Sequence, residues 1–240
     1  MKVFKYQQFH IQQSHAAMKV GTDSDLLGTL GVGGGRILDI GTGTGVLSLM
    51  YAQRYPNARI TAIEIDDNAV IDARHNFSSS KFADRIELRH ISFQDYILEM
   101  KNSDEKTRFD SIICNPPYFD KSLECPDEGR CRARHSSSLP FDVLAQGVNE
   151  LLTDGGVFSV CIPPEVVETF SRQCQLAGLT LNTCYQVKSL PQNPPKRFVM
   201  VYRKGTAVEP QTHTFCMRNQ DYSRTAWFLD LLKDFLVLQQ

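Results

Sequence analysis

RILDIGTGTGVLSLMYAQRY, Arg36–Tyr55, passes from a short apolar run through three alternating glycines into a pattern of helical period. That succession predicts a buried strand, a tight loop and a helix, the unit from which open α/β sheets are assembled. The same rhythm continues downstream. ARITAIEI (58–65) reads as a strand and DDNAVIDARHNFSSS (66–80) as a helix. DRIELRHI (84–91) is a strand and, after a mixed stretch of helical character, FDSIICN (109–115) is another. DVLAQGVNELL (142–152) is a helix, GGVFSVCI (155–162) a strand, and PEVVETFSRQCQLAG (164–178) a helix whose left-handed stop is Gly178. The strands are near-continuous apolar runs, as expected of parallel strands covered on both faces.

After Gly178 the rhythm changes. LTLNTCYQVKS (179–189) and KRFVMVYRK (196–204) follow one another with no helix between them, which predicts a hairpin and one antiparallel strand. The fold class is therefore α/β, a mostly parallel Rossmann-like sheet with an antiparallel C-terminal hairpin strand. Upstream, MKVGTDSDLLGTLG (18–31) predicts a short helix capped by Thr22 or Asp23. At the far end DYSRTAWFLDLLKDFLVL (221–238) predicts an amphipathic helix with Ser223 as N-cap and Trp227, Phe228, Leu231, Leu232 and Phe235 as packing residues. No stretch reads as an interdomain linker. We expect one domain over 1–240, with 1–35 covering the cofactor and substrate side and 205–240 forming a C-terminal extension that ends in the amphipathic helix.

Composition narrows the function. The 240 residues carry a formal net charge of -1 and a pI of about 6.6, which excludes a general nucleic-acid coat but not a local basic face. No apolar run approaches the ~20 residues that span a bilayer. The N-terminal stretch lacks the apolar core and cleavage site of a secretory leader, so a cytoplasmic location is expected. Seven scattered cysteines, an odd number, suit a reducing compartment. The closest pair, Cys125 and Cys131, lacks a second Cys/His pair nearby, so no metal site is expected.

The glycine loop is G-x-G-x-G preceded by Asp39, not the G-x-G-x-x-G phosphate fingerprint. An acid at the strand end repels a pyrophosphate but suits a ligand with a cationic end, such as the amino group or sulfonium of S-adenosylmethionine. Gly41 and Gly43 let backbone approach such a ligand. Glu64, ending the second strand, stands where an acid grips ribose hydroxyls in dinucleotide folds.

Asn115-Pro116-Pro117-Tyr118 follows the fourth strand, at the carboxyl edge where open α/β sheets bind ligands. Prolines fix the backbone and withdraw donors, leaving carbonyls free to accept. The Asn115 side-chain carbonyl and the Pro116 carbonyl can together hold both hydrogens of an NH2 group, while Tyr118 stacks on the attached ring. An adenine amine attacks poorly because its lone pair is delocalised. Hydrogen bonds to both protons favour a pyramidal nitrogen and aim the lone pair at an activated methyl, with the rate arising from positioning and electrostatics.

DIGTGTG, AIEID and NPPY in this order resemble the class I amino-methyltransferases. MKVGTDSDLLG, ILDIGTGTGVLSLMYAQR, NPPYF, RARH before a helix, and a final DYS with an aromatic helix resemble the bacterial tRNA(Val) adenine-N(6) methyltransferase family over nearly the whole chain. The resemblance implies methylation of adenosine 37, beside the anticodon, with S-adenosylmethionine as donor. It implies cofactor contacts at Thr22, Asp39, Gly41, Gly43 and Glu64, and an amine clamp of Asn115, Pro116 and Tyr118. Such enzymes commonly place an acid after the third strand for the cofactor adenine; here that position is Ser92, with Asp95 nearby.

A base in a single-stranded loop can be splayed out and stacked. Arg130, Arg132 and Arg134 follow the clamp, and Lys188, Lys196 and Arg197 bracket the hairpin loop; these are the expected phosphate contacts. A protein glutamine methyltransferase or an rRNA or DNA base methyltransferase would use the same clamp, but no separate recognition module is evident. A non-catalytic S-adenosylmethionine-binding RNA module has no reason to keep the clamp, and the glycine spacing disfavours a dehydrogenase.

Overall fold

The computed structural model describes residues 3–103, 107–116, 139–205 and 208–236. Ten strands and seven α-helices are described. In chain order they are β1 (Val3–Lys5), β2 (His10–Gln12), α1 (Thr22–Leu30), β3 (Arg36–Ile40), α2 (Val46–Arg54), β4 (Arg59–Glu64), α3 (Asp67–Ser78), β5 (Ile86–His90), α4 (Phe93–Asn102), β6 (Phe109–Cys114), α5 (Phe141–Leu151), β7 (Leu152–Ile162), α6 (Val167–Leu176), β8 (Leu179–Lys188), β9 (Arg197–Lys204), β10 (Gln211–Cys216) and α7 (Ala226–Leu232).

Eight strands form one sheet in the order β10-β8-β9-β7-β6-β3-β4-β5, and β1 and β2 pair separately. Strands β5, β4, β3, β6 and β7 are mutually parallel. Only β9 opposes them, paired antiparallel with both β7 and β8. This is the parallel core closed by a hairpin that the sequence predicts. Three strands lie outside the predicted set: the short pair β1 and β2, and β10, which adds to the outer side of β8 in parallel register within the segment read as an extension.

Strand alternation sorts the core to two faces. One face buries Ile37 and Ile113 with Leu26, Leu27, Leu49, Met50 and Phe77, from α1, α2 and α3. The other buries Leu38, Ile40 and Ile112 with Tyr96, Leu144 and Phe170, from α4, α5 and α6. Helix α2 is buried along Val46–Ala52 because a third layer lies over it. That layer is the β1–β2 hairpin and the C-terminal segment: Tyr6, Phe9, Ile11 and Phe235 join the same cluster. The Gln7 amide donates to the Phe235 carbonyl at 2.8 Å, and the Gln7 side chain donates to Lys233 and Leu236 carbonyls. The two ends of the described chain thus meet over α2. Leu232 and Phe235 are buried, and Trp227, Phe228 and Leu231 pack partly buried against the cluster, as their apolar spacing predicts.

Two caps differ from expectation. Gly21, not Thr22 or Asp23, precedes α1, and Ser24 Oγ donates to the Gly21 carbonyl at 2.7 Å. Thr225, not Ser223, caps α7 by accepting from the Phe228 amide. Ser223 lies two residues before that cap, and its hydroxyl is used inside the preceding turn, accepting from Asn219 Nδ2 at 3.0 Å and donating to Asp221 Oδ1 at 2.5 Å. Gly178 has φ 84° and ends α6 as predicted.

Candidate active site

The chain runs outward from β3 through β4 to β5, then crosses to the opposite side of β3 to make β6. The resulting switch point between β3 and β6 is where open α/β sheets bind ligands, outside the carboxyl ends of the strands. Register fixes what meets there. Ile40 lies opposite both Ile63 and Cys114, so Gly41, Glu64 and Asn115 emerge side by side from three adjacent strands. Ile91 donates its amide to the Glu64 carbonyl at 3.0 Å, which brings Ser92 to the same edge. Asp23, in the first turn of α1, is ion-paired with Arg197, at the start of antiparallel β9, so exposed Thr22 also stands at this edge.

Asp39 is fully buried beneath the glycine loop. Its Oδ2 accepts from Thr42 Oγ1 at 2.6 Å and Ser48 Oγ at 2.7 Å, tying loop and helix to the strand end. Its Oδ1 is buried with no hydrogen-bond partner among the described residues. Burial pushes the carboxyl up to about 6; the two hydroxyl donors oppose that rise and the neighbouring Glu64 charge adds to it. An unsatisfied acid in low dielectric is a standing attractor for a cation, by direct contact or through one water.

Glu64 is spent differently. Its Oε2 accepts from the Gly43 amide at 2.8 Å, while Oε1 accepts from the amides of Ile65 and Asp66 at 2.8 and 2.9 Å. A carboxylate has about four acceptor sites, so one on Oε2 remains for a hydroxyl. Cys114, next to the Asn115 turn, has its thiol pushed well up by burial and is not a thiolate nucleophile.

The loop glycines divide by purpose. Gly41 and Gly43 are left-handed, with φ 66° and 59°, and a Cβ on either meets nothing within 4 Å. The space above them is open, as a ligand cradle requires. Gly45, φ 84°, is packed: a Cβ there would lie 2.4 Å from Phe77 Cε1 of α3. Gly43→Ala is therefore expected to cost about 1–2 kcal/mol of stability through φ alone, yet to weaken cofactor binding at least ~10-fold. Gly45→Ala should cost about 2–5 kcal/mol through strain plus overpacking. Thermal melts beside calorimetric titration separate the two, and equal cofactor loss per degree of melting point would refute the division.

Ser92 is the N-cap of α4: its Oγ accepts from the Asp95 amide at 3.0 Å and donates to Asp95 Oδ2 at 2.6 Å. The two residues weighed for the adenine end are thus one hydrogen-bonded unit. Asn115 is half-buried and Pro116 buried. Lys196 is exposed on the β8–β9 loop, whereas Arg197 also donates to the Lys196 carbonyl at 2.8 Å. Tyr118, Arg130, Arg132 and Arg134 lie outside the described residues.

Sequence reading missed the strap that closes over the loop from the N-terminal side. Asn76 Nδ2 donates to the carbonyls of Thr44 and Gln12, both at 2.8 Å, and Asn76 Oδ1 accepts from the Gln12 amide. One turn earlier, Asp72 accepts from the amides of His15 and Ala16 and faces His15 Nδ1 at 2.9 Å. The only sequence signal was an i, i+4 polar pair on a helix otherwise apolar on that side.

Among the described residues no group of three or more His, Cys, Asp or Glu is arranged to hold a metal, and no helix is long and apolar enough to cross a membrane. Residues 13–126 match the methyltransferase small domain family. A Phocaeicola vulgatus protein named tRNA1(Val) (adenine(37)-N6)-methyltransferase is 44% identical over 202 residues, covering 83% of each chain. A Trichodesmium erythraeum protein of the same name is 38% identical over 236 residues, covering 97% of this chain and 96% of the relative. In fold, the chain resembles the crystal structure of a predicted O-methyltransferase from Agrobacterium tumefaciens, with a TM-score of 0.68 at 20% identity, covering 89% of this chain and 96% of that one.

Proposed function

This chain belongs to the tRNA1(Val) (adenine(37)-N6)-methyltransferase family, and from that premise we propose how its residues carry the reaction. It is an S-adenosylmethionine-dependent enzyme that methylates N6 of adenosine 37 in tRNA(Val), the base beside the anticodon. The observation that carries the site assignment is the register that sets Gly41, Glu64 and Asn115 side by side at the switch point.

The bound cofactor supplies a methyl group activated by a sulfonium. Asp39, with its unsatisfied Oδ1, attracts the cationic end, and Gly41 and Gly43 give it room. The remaining acceptor site of Glu64 takes a ribose hydroxyl, Thr22 contributes from the start of α1, and Ser92 accepts from the adenine amine. The segment 1–35 covers this side of the sheet. Asn115 and the Pro116 carbonyl hold the two protons of the target amine, Tyr118 stacks on its ring, and Arg130, Arg132, Arg134, Lys196 and Arg197 meet phosphates. No general base is needed, since the proton leaves once the nitrogen is cationic. The work is done in the cytoplasm, where the RNA is processed.

Labelled methyl transfer to bulk tRNA, rRNA, DNA and protein, with mass mapping of the product nucleoside, tests this reading. N6-methyladenosine at position 37 is the expected product; incorporation into protein or DNA alone would overturn it. The adenine end has its own test. Ser92→Ala removes a helix cap, costing about 1 kcal/mol of stability, and is expected to weaken cofactor binding as well. Loss of affinity on Asp95→Ala but not on Ser92→Ala would move the assignment to Asp95.

A further inference from the structure

Tyr222 is the only non-glycine residue with positive φ among the described residues, at φ 67°. It is also 64% exposed. The hairpin turn between Arg218 and Arg224 accounts for the left-handed backbone but not for a tyrosine there. A turn that needs the left-handed region is better served by glycine or asparagine, and a bulky aromatic there is an outlier that must be held in place. An aromatic that buries little surface returns little through packing.

The loop around it is over-determined. The Asn219 amide donates to the Ser223 carbonyl at 2.9 Å, and the Tyr222 amide donates to the Asn219 carbonyl at 3.0 Å. Arg218 Nη1 donates to the Tyr222 carbonyl at 2.7 Å. Asp221 Oδ1 accepts from the Ser223 amide and hydroxyl, so its charge is engaged inside the loop. The loop is anchored below, where the Met217 amide donates to the Lys188 carbonyl and the Thr225 amide to the Met217 carbonyl. These bonds fix the backbone of the loop and leave Tyr222 largely exposed.

Its position fits the reaction. β10 is parallel to β8, and β8 lies in the direction of β7, so the loop after Cys216 stands on the carboxyl edge that carries Asn115. Four strand spacings, about 19 Å, separate β10 from β6. Arg218 and Arg224, both exposed, bridge across the base of the hairpin that carries Tyr222, Arg218 holding the Tyr222 carbonyl and Arg224 acting on Asp25, while Lys188 and exposed Lys196 lie between the hairpin and the site. An exposed aromatic on a fixed hairpin, with lysines between it and the site, is complementary to a base on a phosphate backbone, and single-stranded bases bind by stacking on such rings.

We infer that Tyr222 is a stacking finger for an unpaired nucleobase of the RNA substrate, a few nucleotides from the methylated adenosine. This rests on the RNA-methylating reading above. The test compares wild type, Tyr222→Gly and Tyr222→Phe in tRNA affinity, KM for tRNA, cofactor affinity and melting temperature. Glycine suits φ 67°, so Tyr222→Gly should melt no lower than wild type. It should nevertheless bind tRNA ~5- to 150-fold more weakly, the range of one base-stacking contact, with cofactor affinity unchanged. Tyr222→Phe should bind tRNA as wild type does. Wild-type methylation of tRNA combined with an unaltered Kd and KM in Tyr222→Gly overturns the finger alone. A loss in Tyr222→Phe equal to that in Tyr222→Gly also overturns it, because the hydroxyl would then be the contact. A wild type that methylates no RNA overturns the functional reading and the finger with it.

Discussion

Asn115→Ala is expected to lower the turnover of methyl transfer to tRNA by about 10²–10³-fold, the usual cost of deleting one preorganised hydrogen-bonding group at a reacting centre. Asn115 follows directly on β6 beside Gly41, so its side chain is carried by a strand in the middle of the sheet rather than by a free loop. A group carried this way is already in position when substrate arrives, which is what makes its removal costly in rate. The amine would then lose one of its two acceptors and keep the Pro116 carbonyl, so its lone pair would be neither freed nor aimed. Cofactor affinity should stay within a factor of about 2, because the cradle is built from β3, β4 and α2. Asn115→Asp keeps an acceptor oxygen and loses the amide donors, so partial activity is expected. Single-turnover rates with saturating cofactor provide the measurement. An Asn115→Ala enzyme that modifies tRNA at the parental rate would remove the amine clamp from the mechanism.

The parts of this protein that can be read in one dimension are those where local pattern and tertiary role coincide. RILDI and FDSIIC are apolar on both sides because they are covered on both sides, and the structure buries them accordingly. The glycine loop is legible because left-handed backbone demands glycine whatever surrounds it. QTHTFC, by contrast, is half polar because β10 is an edge strand with one open side, so its alternation looked like extension rather than sheet. β1 and β2 are only three residues each, shorter than any periodicity can mark. Asp72 and Asn76 look like an ordinary polar helix face; only the return of Gln12–Ala16 across α3 makes them a clasp. Ser92 shows the opposite hazard. Its capping of α4 is a complete local explanation, so any additional role at the cofactor must be found by measurement.

Asp39→Asn is expected to weaken S-adenosylmethionine binding by about 100-fold at neutral pH, or ~2.7 kcal/mol, while leaving the cofactor-free protein folded. The buried carboxyl has its pKa raised from 3.8 to about 6. The folded protein therefore holds a proton more tightly than the unfolded chain, and stability is lost as pH rises from about 4 through about 6. A shift of that size corresponds to roughly 3 kcal/mol of burial cost, fully present above the folded pKa. A cationic ligand end reverses the account: it favours the ionised form, so wild-type affinity should increase as pH rises through about 6, with proton release on binding. Asparagine can still accept from Thr42 and Ser48 but carries no charge and places an amide donor where Oδ1 was. Its melting temperature should fall less steeply with rising pH than that of wild type, and its weak cofactor affinity should be flat across the same range. Asp25, also pushed up to about 6 by burial, remains in the variant and keeps its own share of the slope. Melting curves and titrations at about pH 5 and pH 8 suffice for both enzymes. Wild-type affinity that does not change between them, or an asparagine variant that binds as tightly as the parent, would mean that the acid only fastens the loop and that the cofactor's cationic end is held elsewhere.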